Sequence, residues 1–305
     1  MSMRYPAGFI SAFYNPLKNP DAPTIGTASP VSATSLSIAF TAPSNVGGSA
    51  ITSYIASAKR TSDGVLFTAS GASSPITVTG LTAVPFTVTV VAVNSYGPSA
   101  SSSASNSVTP ALPIGSAYEG GFFAGQISTV TPNVASFNLV VGPVASAQSF
   151  LKWKLVNTTT AGTSSDIDGP ANSTAMNDVT HPAAQFCEGL TIGGFSDWYM
   201  PATNELEVCY FNLKPTTQLN NTGSGINPNA VPARASNYTT GTPAQTTAAA
   251  FITSTGAEAF ANDVYWSSTQ VSAIYARRQI FGNGVIYGDN KIVDCKVRAI
   301  RRVAV

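Results

Sequence analysis

The sequence predicts a mostly β chain: an N-terminal arm, then an antiparallel sandwich, then a second domain mixing strands with helices. Three observations predict this. Residues 22–110 repeat a two-residue alternation with no helical period, helical spacing occurs twice beyond residue 180, and charge divides unevenly between the halves. Before residue 151 the charged residues are Arg4, Lys18, Asp21, Lys59, Arg60, Asp63 and Glu119; every other one lies beyond it. A length of 305 residues accommodates two domains of ordinary size.

Charge is sparse as well as uneven. Charged residues make up 10% of the chain and hydrophobic ones 44%, where an average soluble domain has roughly 25% charged. A membrane protein would need an apolar run of roughly 20 residues. The most apolar stretch, residues 85–93, is short, threaded with Thr and alternating like a strand, so no membrane insertion is expected. The 25 Gly and 20 Pro have no fixed spacing, which excludes a collagen-like repeat. A net charge of +1 gives no global pull toward nucleic acid, and none is expected as a partner.

Residues 1–21 read as an arm. Tyr5, Phe9, Ile10, Phe13, Tyr14 and Leu17 are punctuated by Pro6, Pro16 and Pro20 and cannot close a core alone. Such a segment either packs back on the next module or docks into another chain. The same stretch fits a secretory signal poorly, because Pro6, Gly8, Ser11 and Tyr14 break its apolar run; export by the general route is not expected.

In residues 22–110, Leu36, Ile38 and Phe40 alternate onto one face, as do Phe86, Val88 and Val90. Turn signals fall between the runs at 45–48, 62–64 and 95–98. Short alternating strands at this spacing predict an antiparallel sandwich. Residues 111–115 form a short linker. In residues 116–305, Ala183, Phe186, Cys187 and Leu190 fall at helical spacing behind Pro182, with Gly189 near the end. Leu206, Cys209, Tyr210 and Leu213 repeat that spacing between Thr203-Asn204-Glu205 and Pro215. Beyond 265 the pattern returns to strands, with Gly282-Asn283-Gly284 as a hairpin turn. Alternation puts Tyr275, Arg277, Gln279 and Phe281 on one face and Ile274, Ala276, Arg278 and Ile280 on the other. Both faces carry an Arg, so the pattern does not say which is solvent.

Residues 22–110 resemble a fibronectin type III module. The matching positions are Phe40 on the second strand, Tyr54 after the Ile-x-x-Tyr turn, Leu81 before the corner, and Ala92-Val93-Asn94-Ser95-Tyr96-Gly97. Two depart from the pattern: Phe40 replaces the usual core Trp and Phe86 the corner Tyr, with no hydroxyl for a backbone bond. The resemblance implies an immunoglobulin-like sandwich acting as a spacer. Residues 116–305 resemble a second family, the Lcl C-terminal domain of bacterial surface proteins and phage virion proteins. The strings are IGSAYEGGFFAGQI at 114–127, AAQFCEGLTIGGFSDWYMPATNEL at 183–206, YWSST at 265–269, FGNG at 281–284 and KVRAIR at 296–301. That resemblance implies an α+β, C-type-lectin-like domain related to formylglycine-generating enzymes, with its closing strands as an exposed ligand platform.

Residue chemistry favours binding over catalysis. Cys187, Cys209 and Cys295 are an odd, scattered set, two of them on apolar stripes, which favours buried thiols. Trp198 and Trp266 read as core, and Asp197 and Glu205 as serving a turn and a helix start. Asp166-Ile167-Asp168-Gly169 lacks the calcium-loop series and reads as a loop. His181 is the one histidine, which rules out a multi-His metal site. Among the basic residues Lys291, Lys296, Arg298, Arg301 and Arg302, Arg298 and Arg301 are expected to pair with internal carboxylates. No catalytic residue, cofactor or metal is expected.

Together the resemblances imply a bacteriophage virion structural protein, a tail fibre or head decoration, attaching to the host surface through its lectin-like domain. A non-enzymatic bacterial cell-surface adhesin is the alternative. The expected ligand contacts are Tyr275, Arg277, Gln279, Asn283, Tyr287 and Asn290, facing a host-surface glycan or protein. Other virion proteins are the expected partners of residues 1–21, and phage fibres suggest a homo-oligomer, a trimer by analogy. The implied location is the virion, assembled in the host cytoplasm, or the bacterial surface in the alternative.

Overall fold

A computed structural model describes residues 17–130 and 132–305. It is mostly β and divides into two compact units between Pro113 and Ile114. The docking role expected of residues 1–21 falls largely outside the described residues.

The first unit carries β1 (Thr24–Ser32), β2 (Ser35–Thr41), β3 (Ser53–Arg60), β4 (Leu66–Gly71), β5 (Ile76–Val78), β6 (Phe86–Asn94) and β7 (Gly97–Pro98). They form two antiparallel sheets, β1-β2-β5 and β4-β3-β6-β7. Alternation sends Leu36, Ile38, Phe40, Phe86, Val88 and Val90 into one core with Tyr54 and Leu81, as the sequence pattern predicts. Phe40, standing where a Trp is usual, packs on Tyr54 with ring centroids 4.7 Å apart. Phe86 has no hydroxyl to brace the corner. Its backbone is instead paired both ways with Val108, each bond 2.9 Å, and its ring sits edge-on to Phe67.

Residues 18–21, counted with the arm on sequence grounds, belong to this unit. Lys18 N–H donates to Gly47 O and Asp21 N–H to Asn45 O. Buried Asn94 explains why: its amide donates to Lys18 O at 2.9 Å and Val46 O at 2.8 Å. The serine-rich stretch after β7 is equally ordered. Ser99, Ser102 and Ser105 each donate a backbone N–H to β6, to Ala92, Val90 and Val88 respectively. Each hydroxyl then accepts the N–H of that same β6 residue, at 2.9, 2.9 and 3.0 Å. Three residues of this segment therefore match two of the strand. Asn106 ties its far side to both backbone groups of Ala28.

The second unit opens with β8 (Ala117–Tyr118), β9 (Gly121–Ile127), β10 (Phe137–Val141), α1 (Val144–Ala147) and β11 (Gln148–Lys152). Then come α2 (Gly169–Thr174), α3 (Pro182–Glu188), α4 (Thr203–Leu213) and β12 (Ala230–Val231). It closes with β13 (Val264–Gln270), β14 (Tyr275–Ile280), β15 (Ile286–Asn290), β16 (Asp294–Arg298) and β17 (Ile300–Ala304). One sheet runs β12-β9-β10-β17 with β8 beside β9; the other runs β11-β16-β13-β14-β15. Both helices read from spacing are present, α3 starting at Pro182 and α4 at Thr203. Leu206, Cys209, Tyr210 and Leu213 of α4 share a core with Ala124 and Ile127 of β9. Trp153, Trp198 and Trp266 are buried in a second core with Cys187 of α3.

Glu205 of α4 lies beside Leu206 of the first core. Its side chain is fully buried, which raises its pKa, while Arg302 beside it and three hydrogen bonds pull the other way. One oxygen accepts the Ala202 N–H at 2.8 Å, closing the first turn of α4. The other accepts Tyr199 Oη at 2.6 Å and Arg302 Nε at 2.8 Å. A Cβ on Gly169 would lie 2.1 Å from this carboxylate, so glycine lets the start of α2 close over it.

Replacing Arg302 with Met leaves Glu205 buried without its cation. The expected loss is about 3–5 kcal/mol in urea unfolding. Because a buried lone carboxyl holds its proton while the unfolded one releases it near 4.5, the deficit should widen as pH rises above that value. A deficit independent of pH between 4 and 7 would contradict this account.

Candidate functional site

The six residues expected to contact a ligand do not form one surface. In the β14–β15 hairpin Tyr275 lies opposite Asn290, Arg277 opposite Gly288, Arg278 opposite Tyr287 and Gln279 opposite Ile286. Opposed residues share a face and successive residues alternate. Tyr275, Arg277 and Asn290 therefore share one face. Tyr287 is on the other, under the Arg278 guanidinium 4.5 Å from its ring centroid. Asn283 sits in the turn, where its side-chain oxygen accepts the Val285 N–H. Gln279 is a correction: it is 1% exposed and donates to Tyr238 Oη and Gly284 O. Alternation put it on the Arg277 face correctly, but Tyr238 covers that end of the face.

Arg277 lines a depression of about 280 Å³ with Asp166, Thr203, Asn204, Ser224 and Asn237. The site is assembled from five separate stretches of the chain. Asp166 stands in the loop before α2, and its carbonyl accepts the Asn204 N–H at 2.8 Å. Thr203 and Asn204 begin α4; Asn204 is held by its amide donating to Asn229 at 2.9 Å. Ser224 Oγ accepts the Ile286 N–H at 3.1 Å, which leaves its own proton to point elsewhere. Neighbouring Gly225 has φ +123°, and a Cβ there would lie 2.4 Å from the Tyr238 ring, so this wall can only approach Tyr238 as glycine.

The charges in this depression differ from those elsewhere in the unit. Arg298 pairs with Glu258, Arg301 with Asp197 and Glu119, Arg302 with Glu205 and Asp168, and Lys296 with Asp263. Arg278 pairs with Asp289 and Arg234 with Glu207. Among the described residues of this unit, Asp166 and Arg277 are the charged side chains with neither an ion pair nor a hydrogen bond. Gly288 opposite Arg277 supplies no cross-strand partner, which is why the guanidinium stays uncommitted. Sequence reading reached Arg277 but took Asp166 as plain loop and passed over Ser224 and Asn237. No local signal marks them, because the depression is made by contacts between distant segments.

The candidate nucleophiles are placed differently. Cys187, Cys209 and Cys295 are free and buried, and burial raises all three thiols above their ordinary values. Among the described residues no group of three or more His, Cys, Asp or Glu side chains could hold a metal ion, and no helix is long and apolar enough to cross a membrane. A second polar cluster surrounds His181, which bonds Asp178 at 2.9 Å through Nδ1 and Thr160 at 2.8 Å through Nε2. Beside it Lys154 and Lys291 are both buried and donate to the Thr158 carbonyl, Lys154 also to Thr160 Oγ1 and Lys291 to Gln270 Oε1, and among the described residues neither has a carboxylate partner. Lys291 also lies 4.6 Å from the Trp153 ring centroid. Burial, with the neighbouring Lys154 charge, lowers Lys291 to about 8.

No family model and no curated protein matches the chain. Solved structures do. The crystal structure of titin domains A168–A170 is 28% identical over 30% of this chain, which spans about a third (32%) of that titin chain, with a TM-score of 0.29. The FN5 domain of Drosophila Lar is 23% identical, covering 30% of this chain and 97% of that domain, at a TM-score of 0.25. A fourth fibronectin type III domain from human is 23% identical over 38% of this chain and 96% of its own, at 0.28. The neighbours are fibronectin type III and immunoglobulin-like domains. The fold assignment itself rests on the strand order and core of the first unit.

Lys291 makes a pH-dependent contribution whose sign follows from its position. Its native pKa is about 8 and its ordinary value 10.5, so between those values the unfolded chain holds the proton that the native chain has released. Stability from this group therefore rises with pH across that window. Relative to Lys291→Met, the wild type should gain stability between pH 8 and 10.5 in urea titrations. A constant gap between the two proteins would overturn the assignment.

Proposed function

We propose that the chain is a structural protein of a bacteriophage particle, a tail fibre or head decoration, attaching to the host surface without catalysing a reaction. The first unit is the spacer and the second a C-type-lectin-like attachment domain. The observation that carries the attachment half is the open polar depression holding Asp166 and Arg277. Elsewhere in that unit the charged side chains are held by ion pairs or hydrogen bonds, so two opposite charges left without either are the groups most ready to meet a ligand. The virion half rests on the resemblance of residues 116–305 to Lcl C-terminal domains, carried by the Gly-Gly-Phe-Ser-Asp-Trp-Tyr-Met-Pro string at 193–201. Buried thiols and a buried His181 with both ring nitrogens occupied, by Asp178 and Thr160, support binding rather than turnover. In this reading residues 1–21 engage other virion proteins, and the protein works as a homo-oligomer assembled in the host cytoplasm.

Immunogold labelling with antibody against the full chain tests the proposal. Gold is expected on purified particles, at the tail or the capsid surface. Gold confined to the envelope of uninfected bacteria would replace this reading with a cell-surface adhesin, and shortening of host polysaccharide by the purified protein would replace it with an enzyme.

A further inference from the structure

We infer that the depression around Arg277 binds an acidic saccharide, a uronic-acid residue within a polysaccharide, with the carboxylate on Arg277 and ring hydroxyls on Asp166. The inference rests on the reading of the second unit as an attachment domain and names what that domain attaches to.

Four features select this ligand. Arg277 is half-buried and unpaired, and a guanidinium presents a planar fork that fits a carboxylate with two parallel hydrogen bonds. Asp166 accepts only, so it needs a hydroxyl or ammonium opposite it. With Arg277 it brings the charge of the lining to zero. Arg277 takes one carboxylate and Asp166 takes hydroxyl donors, whereas Asp166 opposes a phosphate dianion. The remaining groups are short and neutral: the Asn237 amide makes no hydrogen bond among the described residues, and the Ser224 proton is unassigned. Ile226 and Ile286 complete the lining and offer an apolar surface to the C–H face of a sugar ring.

Size and access agree. About 280 Å³ falls just below the range of roughly 300–1,000 Å³ typical of small-molecule sites, which suits a single ring. Asp166, Gly223, Ile226 and Asn237 are exposed at the rim, so the polymer can continue on either side of the bound residue. The site is also assembled before any ligand arrives. Arg277 is on a paired strand, Asn204 at the start of a helix, and Ser224 bonded to β15. Preorganisation of this kind limits the ordering cost of binding.

Because neither the Asp166 nor the Arg277 side chain makes a hydrogen bond or ion pair among the described residues, replacing them should leave stability unchanged, and a binding assay on the variants reads binding alone. The test is equilibrium binding of the full chain to polygalacturonate, to carboxyl-reduced polygalacturonate and to dextran. Binding is expected to the first alone, weakening with added salt. Arg277→Ala should weaken it roughly 10- to 100-fold, the span of a charge-assisted hydrogen-bonded pair. Arg277→Lys should fall between, since it keeps the charge without the fork, and Asp166→Asn should weaken binding by a smaller factor. Lys59→Ala removes the same charge from the first unit and should bind as wild type. Equal binding to the reduced polymer, no binding to polygalacturonate, or an equal loss in Lys59→Ala and Arg277→Ala would overturn the inference. The two proposals fail separately. Particles that carry the protein and adsorb equally with Arg277→Ala would leave the virion reading intact and remove this site, while Arg277-dependent binding by a protein absent from particles would do the reverse.

Discussion

The second unit is organised around a carboxylate that water does not reach. A bare carboxylate in that position would be prohibitive, so the structure must bring it partners, and each partner comes from a different part of the chain. Ala202 gives its N–H, Tyr199 its hydroxyl and Arg302 its guanidinium. The helix start, the 197–202 segment and the last strand are thereby fixed against one another. Arg301, one residue earlier, reaches the other face and clamps Asp197 at 2.7 Å while its guanidinium lies 3.8 Å from the Phe195 ring centroid. Arg298, at the end of β16, bonds Gly142 O and Glu258. Three arginines near the chain's end thus tie the closing strands to Gly142 and Glu258, to Asp197 and to Glu205.

How much of this was legible depends on the distance over which each feature is encoded. Strand alternation at 36–40 and 86–90 and helical spacing at 183–190 and 203–213 are local, and both translated directly into elements. Trp198 and Trp266 were readable as core from the turn residues that flank each of them. Local pattern also divided the residues of β14 correctly into two faces. What it lacked was the identity of the covering element: Tyr238 lies 41 positions from Gln279, and it buries one end of a face whose other end stays open. The depression is beyond local reading altogether, since Asp166 and Arg277 are 111 positions apart and neither has a neighbour in sequence that marks it. Lys154 and Lys291 were hidden likewise, because their partners are neutral oxygens, the Thr158 carbonyl, Thr160 Oγ1 and Gln270 Oε1, and no acidic residue in the sequence marks them.

In the first unit, two substitutions that looked like losses are offset nearby. Phe40 gives up an indole's bulk, and the tilted contact with Tyr54 takes up the space. Phe86 gives up the corner hydroxyl, and the pairing of its backbone with Val108 fixes the same end of β6. Asn94 at the opposite end of that strand fixes residues 18 and 46. The strand is therefore anchored at both ends by polar contacts and along its length by apolar ones.

The serines after β7 carry a consequence for crowding. A sandwich sheet ends in a strand whose unpaired N–H and C=O groups can recruit the edge of a neighbouring copy. Along β6 those groups are occupied by Ser99, Ser102 and Ser105, whose hydroxyls take the donors while their amides take the acceptors. The segment that does this advances three residues for every two of the strand, so its own outward groups fall out of step with any flat β-strand laid against it. A neighbouring copy therefore finds no matching register along this edge, and the insulation is achieved with uncharged side chains.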